Sequence, residues 1–389
     1  MKHGILYLSA LIGVLVMCAS CLHHDEPPLP HYNRVAVVYM MAENSLNSFV
    51  TYDLNEIRSA VNSIPDSCLL VVYLDDSRTT NPQIITFEKE KGEQVIQEFA
   101  NDPISTDSAT MLQVLSIIKQ RYPADSYGLI LWSHGSGWIP SEGTARKTIG
   151  VDNGRNTTSN YGTEMGIPTL ANVLKQTGIT WEFVFFDACF MQGIEVAYEL
   201  RDVARWCIGS PAEIPANGAP YHEIMGDFFR PTDEVWRIAE DYYKAYMTGT
   251  GVVISAVKTD QLDRLAAVTA PLISSLSEYP TTDIQQYLTT GSEDRWKPEY
   301  FDIGSAMHQW FSEGTYNAWR EALERAVPHH YATSYWLSEW APSYHPYLDV
   351  TDPEHVACLS MYIPIEGRKL NEYFTQCSWY HVGGWHQQR

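Results

Sequence analysis

The chain has 389 residues, 45% of them apolar and 19% charged, enough to bury a sizeable core. Its formal charge of −21 argues against a nucleic-acid partner, because binding phosphates needs a basic face, and leaves a cationic substrate electrostatically compatible. Seven cysteines in a chain this long argue against a disulfide framework, and no pair has zinc-ligand spacing, so no residue is assigned to a metal.

Residues 1–21 read as an export signal, with Lys2 and His3 ahead of an apolar stretch from Ile5 to Met17. That stretch is short for a spanning helix. Ala19-Ser20-Cys21 has the small residues of a bacterial lipoprotein cleavage site, which makes Cys21 the candidate for acylation. Cys18 is the second candidate, but the large Met17 precedes it, and a simple secretory signal is the rival reading. Residues 22–33, rich in proline and charge, then form a tether. The expectation is an exported protein anchored to a bacterial outer membrane or cell surface through lipid alone, or else secreted.

The body alternates strand and helix patterns. Arg34–Met41 reads as a strand, followed by a helix over 45–62 with Leu46, Phe49, Val50, Leu54, Ile57 and Val61 on one stripe. Cys68–Leu74 is a second strand, and Gln83–Glu88 opens a hairpin. Asp107 starts a helix that runs to Arg121, with Pro123 as its stop. A loop rich in Gly, Asn and Thr covers 136–166, and a helix over 168–177 feeds the next strand. Strands follow at 204–209 and 251–256, then helices at 261–276 and 304–313. The aromatic stretch 331–347 is read as packed core. This organisation predicts an α/β core over 34–258, with 259–389 packed on it or completing it.

Two short apolar runs carry the chemistry. Phe183-Val184-Phe185-Phe186 is too continuous for a half-exposed strand and fits one buried on both faces, as in a parallel sheet. It ends in Asp187-Ala188-Cys189, and helical spacing resumes at Ile194, Ala197 and Tyr198. Tyr127 to Trp132 is a second such run, ending in Ser133-His134-Gly135-Ser136-Gly137-Trp138. Residues 135–188 leave room for the helical crossover that parallel neighbours require. Two adjacent strand ends would place His134 and Cys189 on one sheet edge, where open α/β sheets build their sites. A thiol and an imidazole suffice for nucleophilic catalysis. The following helix would lower the Cys189 pKa, and the N–H groups of Gly135 and Cys189 would hold an oxyanion. A buried core cysteine is the alternative for Cys189 alone.

Here the sequence resembles the clostripain-like cysteine peptidases, relatives by fold of caspases, legumains and gingipains. The likeness lies in His134-Gly135-Ser136-Gly137-Trp138, in Asp187-Ala188-Cys189-Phe190-Met191, and in Glu195-Val196-Ala197-Tyr198-Glu199-Leu200. Gly209-Ser210-Pro211 with Glu213, Gly218 with Tyr221, and Leu359 to Pro364 extend it over residues 34–365. Ala219-Pro220 departs from it, at a place where a tryptophan is expected. The resemblance implies a caspase-like α/β/α sandwich with a mostly parallel sheet and a C-terminal helical and aromatic extension. It implies a Cys189–His134 dyad, and Asp187 on the floor of the primary specificity pocket, selecting Arg or Lys in a protein or peptide substrate. An Asp at a strand end that caps the next turn is the other reading of Asp187. The resemblance also implies self-cleavage between the two motifs, where Arg146-Lys147 is the only basic pair. No cofactor is required by this chemistry, calcium is left open, and a monomer is expected. A non-catalytic surface lipoprotein binding peptide or glycan, and an amidase or transpeptidase on the same scaffold, are the competing functions.

Overall fold

The computed structural model describes residues 29–76, 81–139, 149–155, 162–288, 300–338 and 345–385. From His31 onward they form one unit. Its first strand, β1 (Tyr32–Met41), starts inside the stretch read as tether, because Tyr32 already packs on the core. α1 (Val50–Ala60) leads to β2 (Cys68–Asp75), and β3 (Gln83–Glu88) and β4 (Gly92–Glu98) make the expected hairpin. α2 (Ser108–Arg121) is capped by Asp107, whose carboxylate accepts from the Ala109 N–H at 2.7 Å. β5 (Ala124–Trp132) follows, then β6 (Ile149–Asp152), β7 (Thr163–Met165), α3 (Ile167–Gln176) and β8 (Trp181–Asp187). The stretch 136–166 is therefore not all loop: β6 and β7 pair antiparallel within it.

After β8 come α4 (Ile194–Glu199), β9 (Trp206–Gly209), α5 (Tyr221–Ile224), α6 (Arg237–Tyr246), β10 (Val253–Lys258) and α7 (Leu262–Ile273). β11 (Phe301–Asp302), α8 (Ile303–Trp310), α9 (Glu313–Ala326), β12 (His329–Ala332), β13 (Tyr335–Leu337), β14 (Tyr347–Asp349) and β15 (Ser360–Met361) complete the framework. Helix α9 was not expected, although Tyr316, Trp319 and Leu323 bury one face of it at helical spacing. Among its described residues, the aromatic stretch 331–347 after it is only partly core: Trp336 is buried, whereas Tyr335 and Tyr347 are exposed.

The main sheet has the order β12-β10-β9-β8-β5-β1-β2-β3-β4. Its centre, β9-β8-β5-β1-β2, is parallel, and the flanking strands are antiparallel. Both faces are covered, which explains the unbroken apolar runs of the central strands. Along β1, Val35, Val37, Tyr39 and Met41 enter one core, and Ala36, Val38 and Met40 enter the other, as the period of two requires. The first core takes in α2, α3, α7, α9 and residues as late as Trp385; the second lies under α1, α5 and α6. This is the caspase-like three-layer sandwich. Residues after 259 share the first core rather than building one of their own.

Chain order reverses at β1, which has β2 on one side and β5 on the other. The crevice outside the carboxyl ends of such strands is where ligands bind. No helix among the described residues is long and apolar enough to cross a membrane.

Candidate active site

Pairing of β5 with β8 sets Trp132 opposite Asp187, so His134 and Cys189 each lie two residues beyond matched strand ends. The two turns touch. A Cβ built on Gly135 would fall 2.7 Å from the Cys189 carbonyl oxygen, and one on Gly137 2.9 Å from that of Phe190. Only glycine allows this approach, and Gly137 also takes a φ of +64°. Tyr300 ties the turns together: its ring stacks on Phe190 at 4.7 Å and its hydroxyl donates to the Ser136 carbonyl at 2.8 Å.

Each turn is fixed from behind. The Phe190 N–H donates to the Ala212 carbonyl at 2.9 Å, and the Gln192 N–H to that of Ser210 at 3.0 Å. The buried Gln192 amide reaches the carbonyls of Cys207 and Ser255 at 3.1 and 3.0 Å. On the other side, the Gly150 N–H donates to the His134 carbonyl at 3.0 Å. His134 Nε2 lies 3.0 Å from the Ser45 hydroxyl, on the turn after β1. Asn44 shapes that turn, donating to the carbonyls of Met41 and Val151, each at 2.8 Å. Cys189 is half-buried, and its Sγ accepts from the Ile214 N–H at 3.5 Å.

One expectation fails. α4 begins only at Ile194, five residues past Cys189, and Phe190 between them has a φ of +61°. A helix end acts over its first turn, so it does not set the Cys189 pKa. The strained Phe190 instead turns the chain sharply at the nucleophile.

Asp187 is not a helix cap. Its Oδ2 accepts from the Tyr221 hydroxyl at 2.9 Å, while its buried Oδ1 has no donor. Gly218, at φ +63°, leaves room for it, since a Cβ there would come within 3.0 Å of both carboxylate oxygens. A second carboxylate, Asp53 of α1, joins it: it is wholly buried, with Oδ2 held by the Trp132 indole at 2.7 Å and Oδ1 unpartnered. Burial and the charge of Asp187 push Asp53 up to about 9. Burial raises Asp187 to about 7, with the Tyr221 hydroxyl and the Ala219 N–H opposing and Glu56 adding to the rise. Glu56, one turn further along α1, lies 2.8 Å from His222 Nδ1. The site thus holds more carboxylate oxygens than its own donors satisfy, and burial keeps Asp53 protonated near neutral pH. Neither Asp53 nor Ser45 was read from the sequence. Asp53 could have been, since it sits between Val50, Leu54 and Ile57 on the buried face of α1.

Cys21, Arg146 and Lys147 lie outside the described residues.

Residues 38–341 match the clostripain family of C11 peptidases. No curated protein matches the sequence. Among solved structures, the chain is similar to an inactive zymogen C11 protease from Parabacteroides distasonis, with 30% identity and a TM-score of 0.77 over 90% of this chain and 98% of that one. It is equally similar to a secreted C11 cysteine protease from Bacteroides thetaiotaomicron bound to an irreversible peptide inhibitor, with 30% identity and a TM-score of 0.78 over 91% and 99%.

Proposed function

Because the chain belongs to the clostripain family of cysteine peptidases, we propose that it hydrolyses peptide bonds after Arg or Lys, with Cys189 as nucleophile and His134 as proton carrier. The observation that carries this reading is the pair of buried, under-bonded carboxylates Asp187 and Asp53 beside the nucleophile. An ionised carboxylate without donors is costly in a protein interior, and a guanidinium or ammonium from the substrate would supply both charge and donors. Cys189 passes its thiol proton to His134 as its sulfur attacks the scissile carbonyl carbon, and the electron pair of the C=O moves to oxygen, facing the N–H groups of Gly135 and Cys189. Collapse of that intermediate expels the amine, which takes a proton from His134, and leaves a thioester. Water attacks the thioester with His134 as base, returning the thiol and releasing the acid product.

The zymogen state of the Parabacteroides relative favours a precursor here as well, cut at Arg146 or Lys147 by the enzyme's own specificity. Those residues precede β6, the strand bonded to the His134 carbonyl, so a cut there would alter the support of the histidine. The secreted Bacteroides relative favours export, and Cys21 is the residue expected to carry the lipid. The deciding experiment is a panel of fluorogenic peptides varied at the cleaved position. Turnover confined to Arg and Lys peptides is expected, whereas no turnover, or equal turnover of all, would overturn the reading.

A further inference from the structure

Two imidazoles and a carboxylate converge between α8 and the turn that follows β14. His308 lies near the end of α8, and Asp352 and His355 lie in the turn, where the His355 and Val356 N–H groups donate to the Asp352 carbonyl at 3.2 and 3.1 Å. The rings of His308 and His355 are stacked, with centroids 3.4 Å apart and planes 7° from parallel. Asp352 faces both of them. Its Oδ1 lies 2.7 Å from His355 Nδ1, and its Oδ2 lies 3.9 Å from His308 Nδ1. A contact between Asp352 and His355, three residues apart, is ordinary for such a turn. The third member is not, because His308 comes from a separate helix to lie flat on His355 beside the same carboxylate. Each of the three offers one nitrogen or oxygen atom within 4.8 Å of the others, and all three are partly exposed. The backbone beneath them is held independently. Asp302 caps α8 by accepting from the Ser305 N–H at 2.8 Å, and it also accepts from the Ala357 N–H at 2.9 Å. A Cβ on Gly304 would fall 2.3 Å from the His355 carbonyl oxygen, so helix and turn are in close contact.

We propose that His308, Asp352 and His355 bind a divalent transition-metal ion such as zinc. Two imidazole nitrogens and one carboxylate oxygen are a donor set that zinc accepts with water in the fourth position, and the partial exposure of the three side chains gives water access. The same set disfavours magnesium and calcium, which take oxygen ligands. Ligand atoms about 2.0–2.2 Å from zinc lie roughly 3–4 Å from one another, so small side-chain rotations close the three on an ion. Rings already ordered by stacking, on a turn already fixed by its own hydrogen bonds, lose little freedom when the ion binds. The ion joins α8 to residues 352–355. α8 follows β11 directly, and β11 begins one residue after Tyr300, which ties the two active-site turns together. The ion is thus a brace for the segment behind the active site and takes no ligand from the dyad. This inference does not depend on the specificity proposed above.

The test uses the full chain carrying Cys189→Ala, which removes the active-site thiol as a rival zinc ligand and prevents self-digestion. After chelation, zinc at about a hundredfold its Kd should raise the melting temperature by roughly 4 °C, as a ligand confined to the folded state does. Magnesium at the same concentration should give no such shift. Cobalt(II) should show the visible absorption of an ion held by nitrogen and oxygen ligands, and zinc should displace it. His308→Gln should weaken zinc binding about tenfold or more, since one of three protein ligands is lost, with folding checked by circular dichroism. His355→Gln serves if His308→Gln does not fold. Absence of both the zinc shift and the cobalt absorption in the parent chain would overturn the proposal. So would undiminished zinc binding in the folded variant, which would place the ion on other ligands, or an equal shift with magnesium, which would mean an oxygen-only site.

Discussion

Asp53→Asn separates function from stability, because it should move them in opposite directions. The carboxylate is wholly buried, donates nothing and has one oxygen without a partner. Its native pKa is raised to about 9 from an ordinary value of 3.8, by burial first and by Asp187 second. A carboxyl group with a raised native pKa contributes its full stability below about pH 4, and that stability is lost as pH rises toward the native value. Asn is nearly isosteric and never ionises, so the variant should match wild type near pH 4 and exceed it near pH 8. One pH unit of differential protonation is worth about 1.4 kcal/mol, so a gain of roughly 2–4 kcal/mol at pH 8 is expected once relaxation of the site is allowed for. The same change removes a carboxyl group that a bound Arg would draw into its ionised form. A charge-assisted contact is worth roughly 1.5–3 kcal/mol, so kcat/KM for Arg peptides should fall about tenfold to a hundredfold, with peptides cut weakly after uncharged residues spared. Urea unfolding at pH 5 and pH 8, beside steady-state kinetics on both peptide sets, measures the two effects. A variant that is less stable at pH 8, or that loses equally on all peptides, would show that Asp53 is a structural anchor for Trp132 and nothing more.

Asp187→Ala should lower kcat/KM for Arg and Lys peptides by a similar factor while sparing others, which the same peptide set reads. Because Asp187 is raised to about 7, KM for an Arg peptide should fall as pH rises from 6 to 8 and the group ionises; a flat KM would refute its role as the cation's partner. Cys189→Ala should abolish turnover without unfolding the chain, and the double variant with His134→Ala should be little worse than either alone. Gly135→Ala should cost roughly a hundredfold in kcat, since its Cβ would fall 2.7 Å from the Cys189 carbonyl and displace the oxyanion donors, with folding checked by circular dichroism. A fatty-acid probe should label the wild-type protein and miss Cys21→Ala; labelling lost only in Cys18→Ala would move the modified residue.

The central strands were readable because burial on both faces leaves an unbroken apolar run, and β1, β5 and β8 follow that pattern almost residue for residue. Beyond the expected pairing of β5 with β8, their order was not readable, since neighbours in the sheet are chosen by crossovers that leave no local mark. His134 and Cys189 stood out because each interrupts its pattern where a strand stops. Ser45 gave no such signal, because a serine after a strand is ordinary and its contact with His134 joins residues 89 apart in the sequence. The helix-dipole argument at Cys189 failed for a related reason: spacing marks where helical periodicity resumes, not how the chain turns in between, and Phe190 takes a backbone conformation that spacing does not encode.

The acidic residues show what a pattern reading overlooks. Val50, Leu54 and Ile57 define the buried stripe of α1, and Asp53 sits between them on the same face. A charged residue in the middle of an apolar stripe is either paired or reserved for a ligand, because a lone buried carboxylate is disfavoured by desolvation. The same test applies at strand ends. Asp75, Asp152 and Asp187 each close a strand with a buried carboxylate, and two of them, Asp75 and Asp187, keep an unpartnered oxygen. Strand ends at a sheet's carboxyl edge are where a fold can tolerate such groups, since the ladder has finished and the next segment is free to leave a gap. Two under-bonded carboxylate sites thus lie on one edge of the sheet, on either side of β1, where the chain leaves the ladder.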